Sequence, residues 1–158
     1  MYNFALGFSV EIWFSLVMQK YRLFDVTPIA LPTVIRVARK YLADKAQRGE
    51  YFIENPSSVD EYLDKIFKID CILKVETIDG DLQRVAVDVS ANASKVQAKF
   101  AEITQSKFWA ARRELQIDRH WIILVNSKKL PDEARLIDAI YAAVDDNKKC
   151  VIIDLFIP

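Results

Sequence analysis

The chain has 158 residues, which is enough for one domain with a real core and leaves little room for two. The AVILMFWYC residues make up 52% and the charged residues 28%, the composition of a folded globular domain and not of a disordered segment. The 22 basic and 22 acidic residues cancel, so the overall charge does not indicate a nucleic-acid binder, although a local basic patch is not excluded. We predict a single domain over residues 1–158.

Residues that build several common kinds of site are scarce. The two cysteines, Cys71 and Cys150, both lie in apolar runs, which argues against a disulfide scaffold or a cysteine zinc site and favours a cytoplasmic location. His120 is the only histidine, so sites with several histidine ligands are excluded. The three glycines stand far apart and do not form a phosphate-binding loop.

The run from Phe4 to Met18 is apolar apart from Ser9, Glu11 and Ser15. It is shorter than the roughly 20 apolar residues that cross a bilayer, and it carries a carboxylate near its middle. It also lacks the basic start and the cleavage site of a secretory signal. We therefore predict a buried helix from about Phe4 to Tyr21 and no membrane partner.

The segment of about 27–65 is predicted to be a helical insertion after this first helix. Two prolines within TPIALP end the first helix. An amphipathic helix follows, with apolar residues at three- and four-residue steps, and it is expected to stop at Gly49. Ser58 and Glu61 have the spacing of a capping box for a second, short helix.

From Phe67 onward the apolar period changes to two, which indicates a strand that includes Ile69 to Val75. Asp79-Gly80 is a strong hairpin signal, and the run Arg84 to Val89 returns as a second strand. The sequence therefore predicts an antiparallel pair.

The second half of the chain predicts a βαβ unit. A long helix from about Asn92 to Leu115, with a break near Thr104–Ser106, precedes it. The apolar strands His120–Val125 and Cys150–Leu155 are separated by a helix over Pro131–Val144 and should be parallel neighbours. The predicted fold class is α/β, a mixed β-sheet of hairpin plus βαβ unit flanked by helices.

Two acidic residues fall on the predicted hairpin, Asp70 on its first strand and Asp88 on its second. Asp70 should share a face with Ile72, and Asp88 should share a face with Ala86 and Ser90. If these faces coincide, the two carboxylates converge. Carboxylate oxygens are natural ligands of Mg²⁺, so we predict Mg²⁺ as a cofactor, bound by Asp70 and Asp88.

An acid in the first helix, an acid early in a hairpin and an acid after an apolar run make the chain similar to the PD-(D/E)XK nuclease superfamily. The matching residues are Glu11 within GFSVEIWFSLV, Asp70 within KIDCIL and Asp88 within VAVDVS. The resemblance covers nearly all of the chain outside the insertion and implies a restriction-endonuclease-like fold. It also implies a Mg²⁺-dependent endonuclease acting on nucleic acid, with DNA as the expected partner and Glu11 as an acid outside the direct metal ligands.

One position departs from the family pattern, because Ser90 stands where the family has a lysine. A serine hydroxyl cannot supply the positive charge that offsets charge growing on the phosphate. Lys95, about one turn into the next helix, is the candidate for that role, and Lys74 is a weaker one. Lys107 lies about 18 Å beyond Lys95 along a helix and is discounted.

Two other functions fit parts of the sequence. Ser90 and the zero net charge also suit a catalytically inactive relative that acts as an interaction or nucleic-acid-binding module. A hydrolase with Ser90 as nucleophile would have to use the distant His120 as its base.

The apolar first helix leaves a homodimer open. The basic side chains that could form a contact surface in the insertion are Arg36, Arg39, Lys40, Lys45 and Arg48.

Two groups of polar residues are predicted to be structural. His120 begins an apolar strand and is expected to make structural hydrogen bonds. Trp109 with Arg112 and Arg113 could stack on bases, but Arg112, Arg113 and Glu114 are more simply a solvated helix face near a helix C-terminus.

Overall fold

The computed structural model of the chain describes residues 2–25, 29–46 and 59–158, without the side chains of 2–9, 45, 46 and 61. Helices and strands alternate in the second half of the chain, after a largely helical first part. The helices are α1 (Tyr2–Lys20), α2 (Leu31–Tyr41), α3 (Ala43–Ala46), α4 (Val59–Tyr62) continued by a π-helical turn (Leu63–Phe67), α5 (Ala93–Ile103), α6 (Ser106–Glu114) and α7 (Glu133–Asp145). The strands are β1 (Cys71–Glu76), β2 (Leu82–Ser90), β3 (Arg119–Leu124) and β4 (Cys150–Asp154).

The four strands form one mixed sheet in the order β1-β2-β3-β4. β1 and β2 are antiparallel, whereas β2, β3 and β4 are parallel to one another. The turn between β1 and β2 contains Gly80 at φ +89°, a conformation that glycine adopts without steric cost. The predicted hairpin and βαβ unit, and the mixed sheet that they form, are confirmed.

Helices cover both faces of the sheet. On one face, buried side chains of α1 and α7 pack against Val85, Val87 and Val89 of β2 and against Trp121 and Ile123 of β3. On the other face, side chains from α2, α5, α6 and the π-helical turn pack against alternate residues of the same strands. Among the described side chains of α1, Val10, Phe14, Val17 and Met18 are buried, whereas Ile12 and Leu16 are exposed, so the predicted buried helix is confirmed on one side only. No helix in the described ranges is long and apolar enough to cross a membrane.

The insertion differs from its prediction at the prolines. Pro32 does not end an element; it stands in the first turn of α2, where a missing backbone N–H costs nothing and the fixed φ favours the helix. The predicted helix is divided at Leu42, between α2 and α3. The expected helix stop at Gly49 and the capping box of Ser58 and Glu61 lie outside the described residues and side chains.

β1 begins later than predicted. Lys68 adopts a left-handed conformation at φ 61° and ends the π-helical turn, so the chain becomes extended only at Cys71. Asp70 consequently lies at a bend immediately before β1 and not within the strand. Its amide nitrogen nevertheless donates to the carbonyl oxygen of Val87 at 2.8 Å, which fixes this bend beside β2.

The helix predicted after β2 is broken near the expected position. α5 ends at Ile103 and α6 begins at Ser106. The Thr104 hydroxyl donates to the carbonyl oxygens of Phe100 and Ala101, each at 3.0 Å, and so satisfies acceptors at the end of α5. The break lets α5 and α6 pack in different directions over one face of the sheet.

Candidate active site

The carboxyl groups of Asp70 and Asp88 meet at the end of the hairpin where β1 begins and β2 ends. An Asp70 carboxylate oxygen, Oδ2, accepts a hydrogen bond from the amide of Val89 at 2.7 Å. Asp88 is 4% exposed and lies on the face of β2 that also carries Ala86 and Ser90. The two carboxyl groups lie close enough that each shifts the pKa of the other. The convergence predicted from the sequence is present.

This acid pair is electrostatically strained. Burial raises the pKa of Asp70 above its ordinary value, and the neighbouring charge of Asp88 raises it further. Burial also raises the pKa of Asp88, while the positive charge of Lys99 and the hydrogen bond from Asp70 partly offset this rise. Because the pKa of Asp70 is raised to about 10, the pair holds a proton at neutral pH. A bound divalent cation would remove the need for that proton.

The lysine beside this pair is Lys99, which sequence reasoning missed. Its ammonium nitrogen, Nζ, lies 3.3 Å from Oδ2 of Asp88, and its side chain is 32% exposed. Lys95, the predicted lysine, is exposed and forms no ion pair with these acids among the described residues. A usable signal was present in the sequence: Lys99 follows the buried Val96 by three positions and precedes the buried Ile103 by four, so it lies on the inner stripe of α5.

Glu11 faces the same cluster from the rim. It lines a cavity of about 370 Å³ together with Asp70 and Val89. Burial raises the pKa of Glu11, repulsion from Asp64 and Asp88 raises it further, and Lys99 lowers it. The three predicted acids from α1, the bend before β1 and strand β2 thus come to one end of the sheet.

Asp64 adds a fourth carboxylate that the sequence did not single out. It is exposed on the π-helical turn, and its charge raises the pKa values of Glu11, Asp70 and Asp88. It belongs to the insertion, so no spacing rule within the hairpin could have pointed to it. Its effect shows that the insertion borders the candidate site.

The donor set fits a metal that is bound by few protein ligands. Within the described residues, no three His, Cys, Asp or Glu side chains lie close enough together to enclose a metal ion. The Asp70–Asp88 pair offers two carboxylates, which suits Mg²⁺ because this ion commonly keeps several waters and takes one or two protein carboxylates. A substrate phosphate can complete such a shell.

Two other polar residues considered from the sequence, Ser90 and Lys107, have structural partners of their own. The Ser90 hydroxyl oxygen accepts a hydrogen bond from the Asn92 amide at 3.2 Å and supports the turn into α5. Lys74 is exposed on β1. Lys107 lies 3.4 Å from the carboxylate of Asp44, so it serves an ion pair between α6 and α3.

A larger cavity of about 880 Å³ also has Asp70 in its lining. Phe24, Ile29 and Leu63 contribute apolar surface, and Asp60 contributes a carboxylate. The cavity lies between the end of α1, the start of β1 and the insertion. Among the described residues, this cavity gives Asp70 space for a group larger than a metal ion and its waters.

His120 is structural, as its contacts show. Its ring nitrogen Nε2 donates to the carbonyl oxygen of Lys68 at 2.9 Å, and Nδ1 accepts from Arg112 at 2.8 Å. Burial and the charge of Arg112 lower the pKa of His120 to about 3, so the ring is neutral at physiological pH. Both ring nitrogens are thus occupied by groups other than Ser90, and the arrangement gives no support to a serine hydrolase.

The prediction that Arg112 belongs to a solvated helix face is wrong. Arg112 is 0% exposed, and its Nη2 donates to the carbonyl oxygen of Ile103 at 2.6 Å. Its guanidinium group lies 4.0 Å from the centre of the Trp109 ring. The packing of α6 turns this residue inward because α5 ends directly above it, whereas Arg113 stays exposed.

Much of the basic surface of the insertion is neutralised within the protein. Glu114 of α6 lies 3.2 Å from Arg36 and 2.8 Å from Lys40 of α2. These ion pairs hold the insertion against α6. The side chains of Lys45 and Arg48 lie outside the described part of the chain, so the predicted contact surface is only partly described.

Comparison with known protein families, with curated proteins and with solved structures finds no match for this chain. The interpretation of the site therefore depends on its geometry. That geometry consists of a buried acid pair, a lysine in contact with one of the acids, and two adjoining cavities.

Proposed function

We propose that this protein is a Mg²⁺-dependent nuclease of the PD-(D/E)XK type that hydrolyses phosphodiester bonds, with DNA as its substrate. The observation that carries the proposal is the buried Asp70–Asp88 pair with the ammonium group of Lys99 at 3.3 Å from Asp88. Three acids and a lysine at one end of a mixed sheet match the residue types and the order of elements that the resemblance implies.

Each side chain has a role that follows from its position. Asp70 and Asp88 would hold the metal, and the Val89 amide keeps one oxygen of Asp70 oriented. When bound, Mg²⁺ supplies Lewis acidity and lowers the pKa of a coordinated water. Lys99 provides the positive charge that offsets negative charge growing on the phosphate.

Glu11 is suited to proton transfer at the rim of the site. Its pKa is raised by burial and by neighbouring acids, which makes its carboxylate a better proton acceptor near neutral pH. It shares a cavity with Asp70, where water has access. We assign it the task of accepting a proton through that water.

The lysine favours an active enzyme over an inactive module. The serine at position 90 is the sequence feature that favours a catalytically inactive relative, because it carries no positive charge. Lys99 supplies a positive charge from the neighbouring helix, so a serine at position 90, where the family pattern has a lysine, is compatible with catalysis. The buried acids also favour activity, because a raised pKa in an acid cluster beside a cavity is typical of functional sites.

The test is a cleavage assay on linear, branched and plasmid DNA and on RNA, with Mg²⁺ or Mn²⁺. We expect Asp88→Ala to abolish cleavage and Lys99→Ala to lower the rate by about a hundredfold or more, because it removes a charge that stabilises the transition state. Lys95→Ala is the matched control: it removes the same charge from the same helix one turn away, and its rate should stay within about twofold of wild type.

Three results contradict the proposal. Cleavage that survives Asp88→Ala would show that the activity comes from another site or from a contaminant. Equal loss of rate in Lys95→Ala and Lys99→Ala would show only a general effect of charge. Binding of nucleic acid without cleavage by the wild-type protein at physiological Mg²⁺ would favour the inactive binding module.

A further inference from the structure

A second polar cavity lies at the opposite end of the sheet from Asp88. Its volume is about 430 Å³, and its walls include Gln83, Arg119 and Lys149, at the amino-terminal ends of β2, β3 and β4. Trp109 and Arg113 of α6 also line the cavity. Gln83 precedes Asp88 by five residues on β2, about 17 Å along a strand, so the cavity is separate from the candidate active site.

Arg119 is buried beside this cavity and is held by neutral acceptors. It is 5% exposed, and its guanidinium donates to Oε1 of Gln83, the carbonyl oxygen of Lys148 and Oδ1 of Asn147 at 3.0–3.1 Å. Among the described residues, no Asp or Glu forms an ion pair with Arg119. The charge of Asp118 acts on it without such a contact. The guanidinium group is therefore fixed in place without a direct counter-ion in the described part of the chain.

Arg112 provides a second buried charge under the wall of the cavity. Its guanidinium stacks on the Trp109 ring, its hydrogen-bond acceptors are the neutral His120 ring and a carbonyl oxygen, and its Nε is buried without a partner among the described atoms. No described carboxylate forms an ion pair with it either. Burying a guanidinium group without a counter-ion is costly, so Arg119, which lines the cavity, favours an anion from outside. Arg112, behind the Trp109 ring, adds positive charge nearby.

The rim of the cavity also carries positive charge. Arg113 and Lys149 are exposed there, and the acidic residue among the described lining is Asp118. The Asp118 carboxylate already accepts a hydrogen bond from the Arg84 amide at 2.8 Å. Three cationic side chains, Arg113, Arg119 and Lys149, and one carboxylate thus line the cavity, and Arg112 lies behind the Trp109 ring.

We infer that this cavity binds a phosphate group, carried by a nucleotide or by a nucleic-acid strand. Arginine presents several N–H donors in a planar fork that fits phosphate oxygens, and the Trp109 ring offers a surface for an attached base. The inference does not depend on the nuclease proposal, because none of these residues belongs to the acid cluster.

The full chain is titrated with inorganic pyrophosphate, without divalent metal, by calorimetry and by NMR of the tryptophan indole N–H groups. Wild type should show saturable binding at one site, with a shift of the Trp109 resonance. Arg113→Ala combined with Lys149→Ala should weaken binding by about tenfold or more, since charge-assisted hydrogen bonds are lost. Both side chains are exposed, so the variant should remain folded.

The matched control combines Arg135→Ala with Lys148→Ala. It removes the same two charges, one from an exposed helix position and one from the residue next to Lys149, but neither side chain lines the cavity. We expect a change of about twofold at most, from general electrostatics alone. Absence of saturable binding by wild type, or equal weakening in the two double variants, would overturn the inference.

Two further probes identify the source of the phosphate. Adenosine 5′-monophosphate tests a free nucleotide, and a five-nucleotide oligothymidylate tests a strand. Tighter binding of the mononucleotide supports a nucleotide site, and tighter binding of the oligonucleotide supports a contact with nucleic acid. Each of these results supports the phosphate site only if Arg113→Ala with Lys149→Ala weakens it; a probe whose binding is unaffected by that change counts against the site.

Discussion

At the scale of single residues, the acid pair is the feature that the fold has the least structural reason to contain. Asp88 is buried, Asp70 is half-buried near it, and Lys99 is the cation within ion-pair distance of Asp88 in the described part of the chain. Such a pair lowers the stability of the folded state whenever both groups ionise. An arrangement that costs stability and adjoins two cavities is most simply explained by function.

Replacing Asp70 by asparagine should therefore stabilise the protein while ending its activity. The folded-state pKa of Asp70 lies above its unfolded value, so the folded state binds more protons, and stability falls as pH rises above the unfolded pKa. An asparagine side chain cannot ionise, yet its oxygen can still accept from the Val89 amide. We expect a gain of roughly 1–3 kcal/mol in the free energy of unfolding at pH 8.

Urea unfolding at pH 4.5 and pH 8 measures this effect. The gain from Asp70→Asn should shrink at the lower pH, because the wild-type carboxyl group then ionises less in the unfolded state, and it is this ionisation that destabilises the folded protein as the pH rises. Asp138→Asn, at an exposed position on α7, serves as the control and should change stability by less than about 0.5 kcal/mol at either pH. A loss of stability in Asp70→Asn at pH 8 would contradict the raised pKa of this group.

At the scale of elements, the lysine nearest to the acid pair lies on helix α5 and not on strand β2. Ser90 and Asp88 share one face of β2, and Ser90 is the position at which the resemblance places a lysine. In this protein the charge comes instead from α5, whose inner stripe carries Lys99 over the same face. The Asn92 side chain accepts from the Ser94 amide at 3.1 Å and fixes where α5 begins, and so which of its residues face the sheet.

Moving the lysine back to the strand should restore part of the activity lost in Lys99→Ala. The double variant Lys99→Ala with Ser90→Lys brings an ammonium group to the same acid pair from β2. If the task of Lys99 is to place positive charge beside the reacting phosphate, we expect the cleavage rate to recover by about tenfold or more over Lys99→Ala alone.

Lys99→Ala with Ser90→Met is the control, because methionine has a similar length and no charge. It should show no recovery. Thermal unfolding of both double variants checks that they fold, since Ser90 is buried and accepts the Asn92 amide. A folded lysine variant without recovery would mean that the position of the charge on α5 matters, and not only its presence.

The elements themselves were largely predictable. Apolar periods of two and of three to four residues located β1, β2, α5, α6 and α7, and the Asp79-Gly80 signal located the hairpin turn. The start of β1 was misplaced because the left-handed Lys68 and the π-helical turn before it have no clear periodic signature. Arg112 was misplaced because it begins a run of three charged residues, Arg112 to Glu114, and such a run looks the same whether each charge is solvated or buried.

At the scale of the whole molecule, the insertion is part of the main core. One buried cluster joins Val34, Leu42 and Leu63 of the insertion to Ala86 of β2 and Phe108 of α6. Ion pairs from two basic residues of α2 to Glu114 add a polar contact at its edge. Residues of the insertion thus pack in the same buried cluster as Ala86 of the sheet that carries Asp88.

Leu42→Ala should therefore destabilise the entire protein in one transition. Leu42 is fully buried, and its truncation should cost about 2–5 kcal/mol through lost burial and the cavity left behind. Near-ultraviolet and far-ultraviolet circular dichroism should give coincident unfolding curves for wild type and variant. Ile78→Ala, at an exposed position in the hairpin turn, should cost less than about 0.5 kcal/mol. Two separate transitions would show that the insertion folds independently.

The sequence by itself determined the class of the fold, the hairpin and the βαβ unit, because these depend on local periodicity and turn residues. It also singled out Glu11, Asp70 and Asp88 as candidate site residues, because that choice depends on residue type and position. The tertiary structure decided which lysine reaches the acids, that Asp64 borders them, and that Arg112 and Arg119 are buried beside a second cavity. Those features depend on how helices rotate and cross over the sheet. These side chains are far apart in the sequence and become neighbours only through tertiary packing, so no short stretch of sequence can predict their contacts.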